Sequence, residues 1–118
     1  MSLTFEMKTG SGIPASSYAA EFIRAEEFKE NLDRYGLGVL LVWKVLEGDF
    51  AGEEATRIVS AKLSPKTNLN KFVIALNGGP VEPGTKVDLA DFYGTRGLII
   101  VEELEGGATR VATFLKQG

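Results

Sequence analysis

Two strand-like segments joined by a short glycine-containing turn constrain the fold of this chain most strongly. The run from Gly38 to Leu46 (GVLLVWKVL) is apolar, β-branched and aromatic, and it has glycines close to both ends, a pattern typical of a β-strand. Alternation places Trp43 on one face of this strand and Lys44 on the other. The residues EGDFAG separate it from a second such run, EEATRIVSA. The pair predicts a β-hairpin.

Three further strands are predicted around this hairpin. In the segment SYAAEFIRAEEF, the residues Tyr18, Ala20 and Phe22 lie two apart, which suits a half-buried strand. The Ala and Glu content of this segment leaves a helix open as an alternative. The runs from Gly97 to Glu102 (GLIIVE) and from Ala108 to Leu115 (ATRVATFL) complete the set.

One helix is predicted from Pro65 to Leu76. Ser64 is a suitable N-cap, and proline is tolerated at the first helical position because its missing N–H costs nothing there. Gly78 supplies the left-handed residue that commonly ends a helix. Four apolar residues spaced i, i+3, i+4 and i+7 form one stripe that faces a core: Leu69, Phe72, Val73 and Leu76.

The order β–β–β–α–β–β predicts a mainly β domain: a five-stranded OB-fold-like Greek-key barrel with one helix between strands 3 and 4. A small SH3-like barrel, or an α+β sheet covered by one helix, would give nearly the same pattern. Asp88 is predicted to cap a single helical turn that ends at Gly94, before the fourth strand. Residues 1–16 are expected to be a flexible N-terminal segment, and residues 17–116 to be the domain.

Composition excludes several classes of function. The 118 residues carry a net charge of −3 and contain no Cys and no His. Disulfides, thiolate nucleophiles and most structural zinc sites are therefore excluded, and so is the commonest general base. Nothing distinguishes a catalytic carboxylate among the 16 acids, so we expect no enzyme, no cofactor and no metal. No apolar run is long enough to cross a membrane, and a cytoplasmic protein without a membrane partner is expected.

Two stretches resemble chemical motifs without matching them. The turn EGDFAGEE holds four acids, but it is too short and wrongly spaced for a calcium loop. A carboxylate-dependent metal enzyme is therefore only a third hypothesis. The stretch from Gly79 to Lys86 (GPVEPGTK) has the glycine spacing of a phosphate-binding loop, but Thr85 and Lys86 stand in the wrong order.

Scattered basic and aromatic residues make single-stranded nucleic-acid binding a candidate function. Such binders need Lys or Arg along a groove and rings on which bases can stack, and an OB-fold brings strands 2 and 3 and two loops onto one binding face. The alternative is that the charges are solvated and that Trp43 is core. Arg96 and Arg110 are weaker candidates. The predicted nucleic-acid-binding residues are Lys29, Arg34, Tyr35, Lys44, Arg57, Lys62 and Lys66.

Several turn and cap motifs, in this order and spacing, give the chain a family resemblance. They are Trp43-Lys44-Val45 at a strand end, the turn from Gly48 to Gly52, the helix start Ser64-Pro65-Lys66, and Asp88-Leu89 leading to Gly94. Over residues 16–115 the chain resembles a family of phage- and prophage-borne OB-fold proteins. The resemblance implies binding of single-stranded DNA among phage replication and recombination proteins, with no catalytic residues.

A second hypothesis uses the same barrel as a protein-interaction or structural module. In that case Leu40 and Val42, on the strand face opposite Trp43, would be buried in a homo-oligomer.

Overall fold

The computed structural model describes residues 13–28, 38–61, 67–82, 84 and 86–117. These residues form a mainly β domain, and the predicted strand at the first segment is confirmed over its helical alternative. The elements, in chain order, are β1 (Ser16–Phe28), β2 (Gly38–Val45), β3 (Glu54–Ser60), α1 (Asn68–Asn77), a 3₁₀ turn (Leu89–Phe92), β4 (Arg96–Glu103) and β5 (Thr109–Lys116).

The five strands form one antiparallel sheet in the order β3-β2-β1-β4-β5. The predicted closure into a barrel is wrong for the described residues, since β3 and β5 remain the two edges of the sheet. These edges nevertheless approach to within 8 Å between Cα atoms. A side chain bridges them instead of a backbone ladder, because Arg57 of β3 donates from Nη1 to the carbonyl oxygen of Val111 on β5 at 3.1 Å.

The long strand β1 pairs with both β2 and β4, and it contains a bulge. The register of β1 with β2 shifts between Phe22 and Arg24. Beside the bulge, Phe22 exchanges two backbone hydrogen bonds of 2.8 Å with the residues after the 3₁₀ turn, donating to Thr95 and accepting from Gly94. A bulge bends a strand and increases its twist. The bulge lies just beyond the part of β1 that pairs with β4, and the residues after it pair with β2 alone.

Trp43 is at the centre of the core and is fully buried. Its ring lies 5.2 Å from Phe22 of β1, 5.5 Å from Phe72 of α1 and 6.0 Å from Phe114 of β5, between centroids. Tilted aromatic contacts at these distances stabilise a core beyond the area that they bury. Trp43 is therefore a core residue and not a platform for stacking bases.

The helix α1 begins later than predicted. Its N-cap is Thr67, whose hydroxyl accepts from the backbone N–H of Asn70 at 3.4 Å. Ser64 and Pro65 lie outside the described residues. The end of the helix is confirmed, since Gly78 is left-handed with φ of 80°. The predicted apolar stripe is also confirmed, and its four residues are buried: Leu69, Phe72, Val73 and Leu76.

We predict that Gly97→Ala destabilises the sheet. A Cβ at Gly97 of β4 would overlap the carbonyl oxygen of Leu115 and approach the ring of Phe114 to 2.9 Å. Overpacking of this kind typically costs about 1–3 kcal/mol, and the free energy of unfolding in urea should fall by that amount. Gly79→Ala is the control, because a Cβ there meets no atom within 4 Å. Equal stability of the two variants would contradict the described β4–β5 packing.

Candidate anion-binding cleft

The structure describes two of the predicted nucleic-acid-binding residues, and it does not bring them together. In the β2–β3 register, Lys44 is opposite Glu54, and Arg57 is opposite Leu41. Because side chains alternate along a strand, Lys44 lies on the outer, exposed face and Arg57 lies on the inner face with the core. The other predicted residues lie outside the described part of the chain: Lys29, Arg34, Tyr35, Lys62 and Lys66.

Around Lys44, the outer face carries a row of charges that alternate in sign across four strands. The registers place Arg96 beside Glu21, Glu21 beside Lys44, and Lys44 beside Glu54. Arg96 donates from Nε to Glu21 at 2.9 Å. Opposite charges on neighbouring strands attract one another, and the row carries no net charge. It does not provide the positive groove that a phosphate chain requires.

Arg24 adds an ion-pair network to this outer face. Its guanidinium donates to both carboxylate oxygens of Glu54, at 2.7 and 2.9 Å, and to Glu26 at 3.1 Å. These hydrogen bonds raise the pKa of Arg24. The hydrogen bond from Arg24 lowers the pKa of Glu54, and the charge of Lys44 lowers it further. The arginines of the outer face are already bonded to carboxylates, so this face has no surplus of positive charge.

Arg57 is a buried cation with few partners. Only 7% of the residue is exposed, and its guanidinium carbon lies 5.7 Å from the ring centroid of Phe72. The carboxylate of Glu102 is 3.9 Å from Nη1, and Nε has no hydrogen-bond partner among the described residues. Burial lowers the pKa of Arg57, as does the nearby charge of Arg110, while Glu102 opposes them. The charged state is therefore costly at this position.

Arg57 lines a cleft of about 440 Å³ between α1 and the edge strand β5. We call this the arginine cleft. Phe72 and Phe114 contribute apolar surface to it. Arg110 donates from Nε to Glu102 at 2.6 Å, so one carboxylate stands between two guanidinium groups. The polar residues that line the cleft are Arg57, Asn68, Lys71, Glu102, Arg110 and Thr113.

The cleft carries a net charge of about +2, since three cations and one carboxylate line it. Arg57 was predicted from the sequence as a nucleic-acid-binding residue, and Arg110 as a weaker candidate. Lys71 was not predicted. Lys71 lies on the exposed surface of α1, beside the buried stripe. The helical spacing of Asn68, Lys71 and Ala75 is the signal that could have placed it on one edge of the helix.

Neither near-motif of the sequence forms a chemical site in the described residues. Gly48 and Gly52, with φ of 85° and 90°, form the β2–β3 turn, and its acids are exposed. Within the described part of the chain, no group of three or more acidic residues could hold a metal ion. The stretch from Gly79 to Lys86 is described only in part, and the 3₁₀ turn that follows has four residues.

An exposed apolar patch covers the outer face beside the charged row. Leu98 pairs in register with Ala19 on one side and Leu115 on the other, and Ala19 accepts a backbone hydrogen bond from Leu46. The four residues of this outer apolar patch are 37–51% exposed: Leu46, Leu98, Ile100 and Leu115. This patch is not the interface surface that was predicted at Leu40 and Val42. Val42 is fully buried within the domain, and Leu40 is half-buried.

No protein-family model matches the chain, and no curated protein is significantly similar to it. The resemblance to phage OB-fold proteins therefore stays a prediction. Among the described residues, no helix is long and apolar enough to span a membrane.

We predict that acid weakens the outer ion pairs through Glu54. Because its folded pKa lies below its unfolded value, the stabilisation is fully present above the unfolded pKa and is lost as pH falls through the folded pKa. The pair is partly exposed, so the contribution should stay below about 1 kcal/mol. Urea unfolding at pH 7 and at pH 3 gives the free energy of unfolding at each pH. Its decrease from pH 7 to pH 3 should be smaller for Glu54→Gln than for the unmodified protein. For Glu47→Gln, in the exposed turn, the decrease should equal that of the unmodified protein.

We predict that the charge of Arg57 does not stabilise the fold. Because removal of the buried charge offsets the loss of its hydrogen bond to Val111, Arg57→Met should change the free energy of unfolding by less than about 1 kcal/mol. Glu102→Gln should lower it by about 1–2 kcal/mol, allowing for the partial exposure of Glu102. The double variant should recover most of that loss. A loss above about 2 kcal/mol in Arg57→Met would contradict the prediction, because the hydrogen bond from Arg57 to Val111 would then outweigh the cost of burying the charge.

Proposed function

We propose that this chain is a non-enzymatic single-stranded DNA-binding domain of the OB-fold type. The observation that carries the proposal is the arginine cleft, where Arg57 and Arg110 approach the carboxylate of Glu102. Lys71 lines the same cleft, in a chain whose net charge is −3. Phosphate groups supply most of the affinity in nonspecific nucleic-acid binding. On the described surface, the cleft offers them a surplus of positive charge that the outer face does not.

The three cations have different roles in this proposal. Lys71 is exposed and Arg110 is partly exposed, so they meet the phosphate first. Arg57 is held at the cleft by its hydrogen bond to Val111, which fixes the guanidinium before a ligand arrives. Pre-positioned donors bind with less loss of side-chain entropy.

Charge, and not base stacking, supplies the affinity of this cleft. The two rings that line it, Phe72 and Phe114, are 4% and 2% exposed, so bases cannot stack on them. We therefore expect binding that tolerates different sequences and weakens steeply with salt.

The strand connections support the OB-fold part of the proposal. β1 pairs with both β2 and β4, the helix lies between β3 and β4, and the edges β3 and β5 approach one another. A five-stranded, partly open Greek-key barrel has this arrangement. The family resemblance adds a role to the proposal: the domain is accessory to phage-type DNA replication or recombination. Its further partners would then be replication or recombination proteins.

The outer apolar patch favours a second candidate function, a protein-interaction module that forms a homo-oligomer. Exposed apolar surface on a small domain commonly marks an interface. The adjacent row of Arg96, Glu21, Lys44 and Glu54 alternates in sign, so a second copy of the chain could present opposite charges to it. A second copy of the chain is therefore the occupant that we infer for the patch.

We predict that a fluorescently labelled oligo-dT binds at low salt through the arginine cleft. Lys71→Gln and Arg110→Gln should each weaken binding about fivefold, the change expected from the loss of one phosphate contact. Each should also reduce the slope of log K against log salt by about 0.7. Fluorescence anisotropy at several salt concentrations gives both quantities.

Lys44→Gln and Arg96→Gln are the matched controls, because they remove cations from the outer face. Both should bind as the unmodified protein does. The proposal would be overturned by a lack of binding at tens of micromolar protein. It would also be overturned by an affinity that does not change with salt concentration. If light scattering then detects a dimer that Leu115→Glu dissociates, the second candidate function replaces it.

A further inference from the structure

The arginine cleft has properties that suit one kind of phosphate more than another. An internal phosphodiester carries one negative charge, whereas a phosphate monoester carries about −1.5 to −2 at pH 7 and presents three acceptor oxygens. The net charge of the cleft is about +2, from Arg57, Lys71 and Arg110 against Glu102. The charge of the cleft therefore matches that of a monoester.

The buried guanidinium of Arg57 is an independent indication of a ligand. Its residue is more than nine-tenths buried, and it makes one hydrogen bond among the described residues, to Val111. Nε has no partner there, although buried donors are nearly always paired. A buried, incompletely bonded cation lowers stability unless an anion completes its surroundings. A negatively charged ligand in the cleft would offset the buried charge of Arg57.

The N-terminus of α1 adds to the positive electrostatic potential of the cleft. Asn68, the first residue of this ten-residue helix, lines the cleft. The N-terminus of a helix presents unpaired backbone N–H groups and the positive end of the helix dipole, both of which favour anions. Asn68 and Thr113 also line the cleft and contribute neutral polar groups that can hydrogen-bond phosphate or sugar oxygens.

The volume of the cleft suits a ligand group of about one nucleotide. At about 440 Å³, the cleft is near the lower end of the usual range for small-molecule sites. It has room for a phosphate with its sugar, or for a single nucleotide.

We propose that the arginine cleft binds a phosphate monoester, the terminal phosphate of a single DNA strand or of a free nucleotide. This inference deepens the proposed function and rests on it, because it assigns the cleft to the phosphorylated end of the strand that the domain binds. Arg57 and Arg110, which both approach Glu102, supply two guanidinium groups to the phosphate, and Lys71 supplies a third cation from α1.

The test uses the whole chain and three oligo-dT strands of equal length. One carries a phosphate at its 5′ end, one carries it at its 3′ end, and the third carries none. Anisotropy at constant ionic strength should show about tenfold tighter binding for one phosphorylated end, the gain expected from added charge-assisted hydrogen bonds. Inorganic phosphate and thymidine monophosphate should compete at millimolar concentrations, while matched chloride should not.

Arg57→Met should remove the preference for the phosphorylated end, and Lys44→Met, on the outer face, should keep it. Circular dichroism is the check that both variants are folded. If Arg57→Met does not fold, Arg110→Gln provides the same comparison, since Arg110 is only partly buried. A preference that survives loss of the cleft cations would overturn the inference.

The remaining outcomes separate the inference from the proposed function. Equal binding of all three strands, weakened by Arg110→Gln, would overturn the monoester inference and leave DNA binding intact. Binding of thymidine monophosphate without binding of any strand would overturn DNA binding and make the cleft a site for free nucleotides. Binding of neither strands nor nucleotide would overturn both.

Discussion

The contact of Trp43 with three other rings determines most of this structure. Trp43 belongs to β2, and its partners Phe22, Phe72 and Phe114 belong to β1, α1 and β5. One side chain therefore joins the centre of the sheet, one of its edges and the helix. Because α1 is held against the inner face near β5, it borders the gap between the two edge strands. The arginine cleft is a consequence of this packing.

The cations of the chain are divided between two environments, and only one of them leaves charge for a ligand. On the outer face, Arg24 and Arg96 are already bonded to Glu54 and Glu21. In the cleft, Glu102 is shared by two arginines, and Lys71 adds a third cation. A surplus of charge that includes a buried guanidinium lowers the stability of the folded protein. Such a cost is common where residues serve binding and not folding.

Local patterns predicted the elements of this fold well, because short-range rules govern them. Alternation and glycine placement identified the β2–β3 hairpin, and helical spacing with Gly78 identified the buried face and the end of α1. Barrel closure was not predicted correctly, since it depends on whether β3 and β5 come close enough to pair. The position of Arg57 was also missed, because an arginine in an alternating strand usually indicates a solvated face. Only the register with Leu41 places it inside.

The most direct test of the account is an amide and arginine-Nε NMR titration of the protein with a short single-stranded oligonucleotide. If the arginine cleft is the binding site, the largest shifts should occur at Asn68–Lys71, at Arg110–Thr113 and at Nε of Arg57, which lacks a partner among the described residues. Lys44 and Leu98 on the outer face should shift little. Shifts centred on the outer face, with Nε of Arg57 unchanged at saturation, would contradict the account.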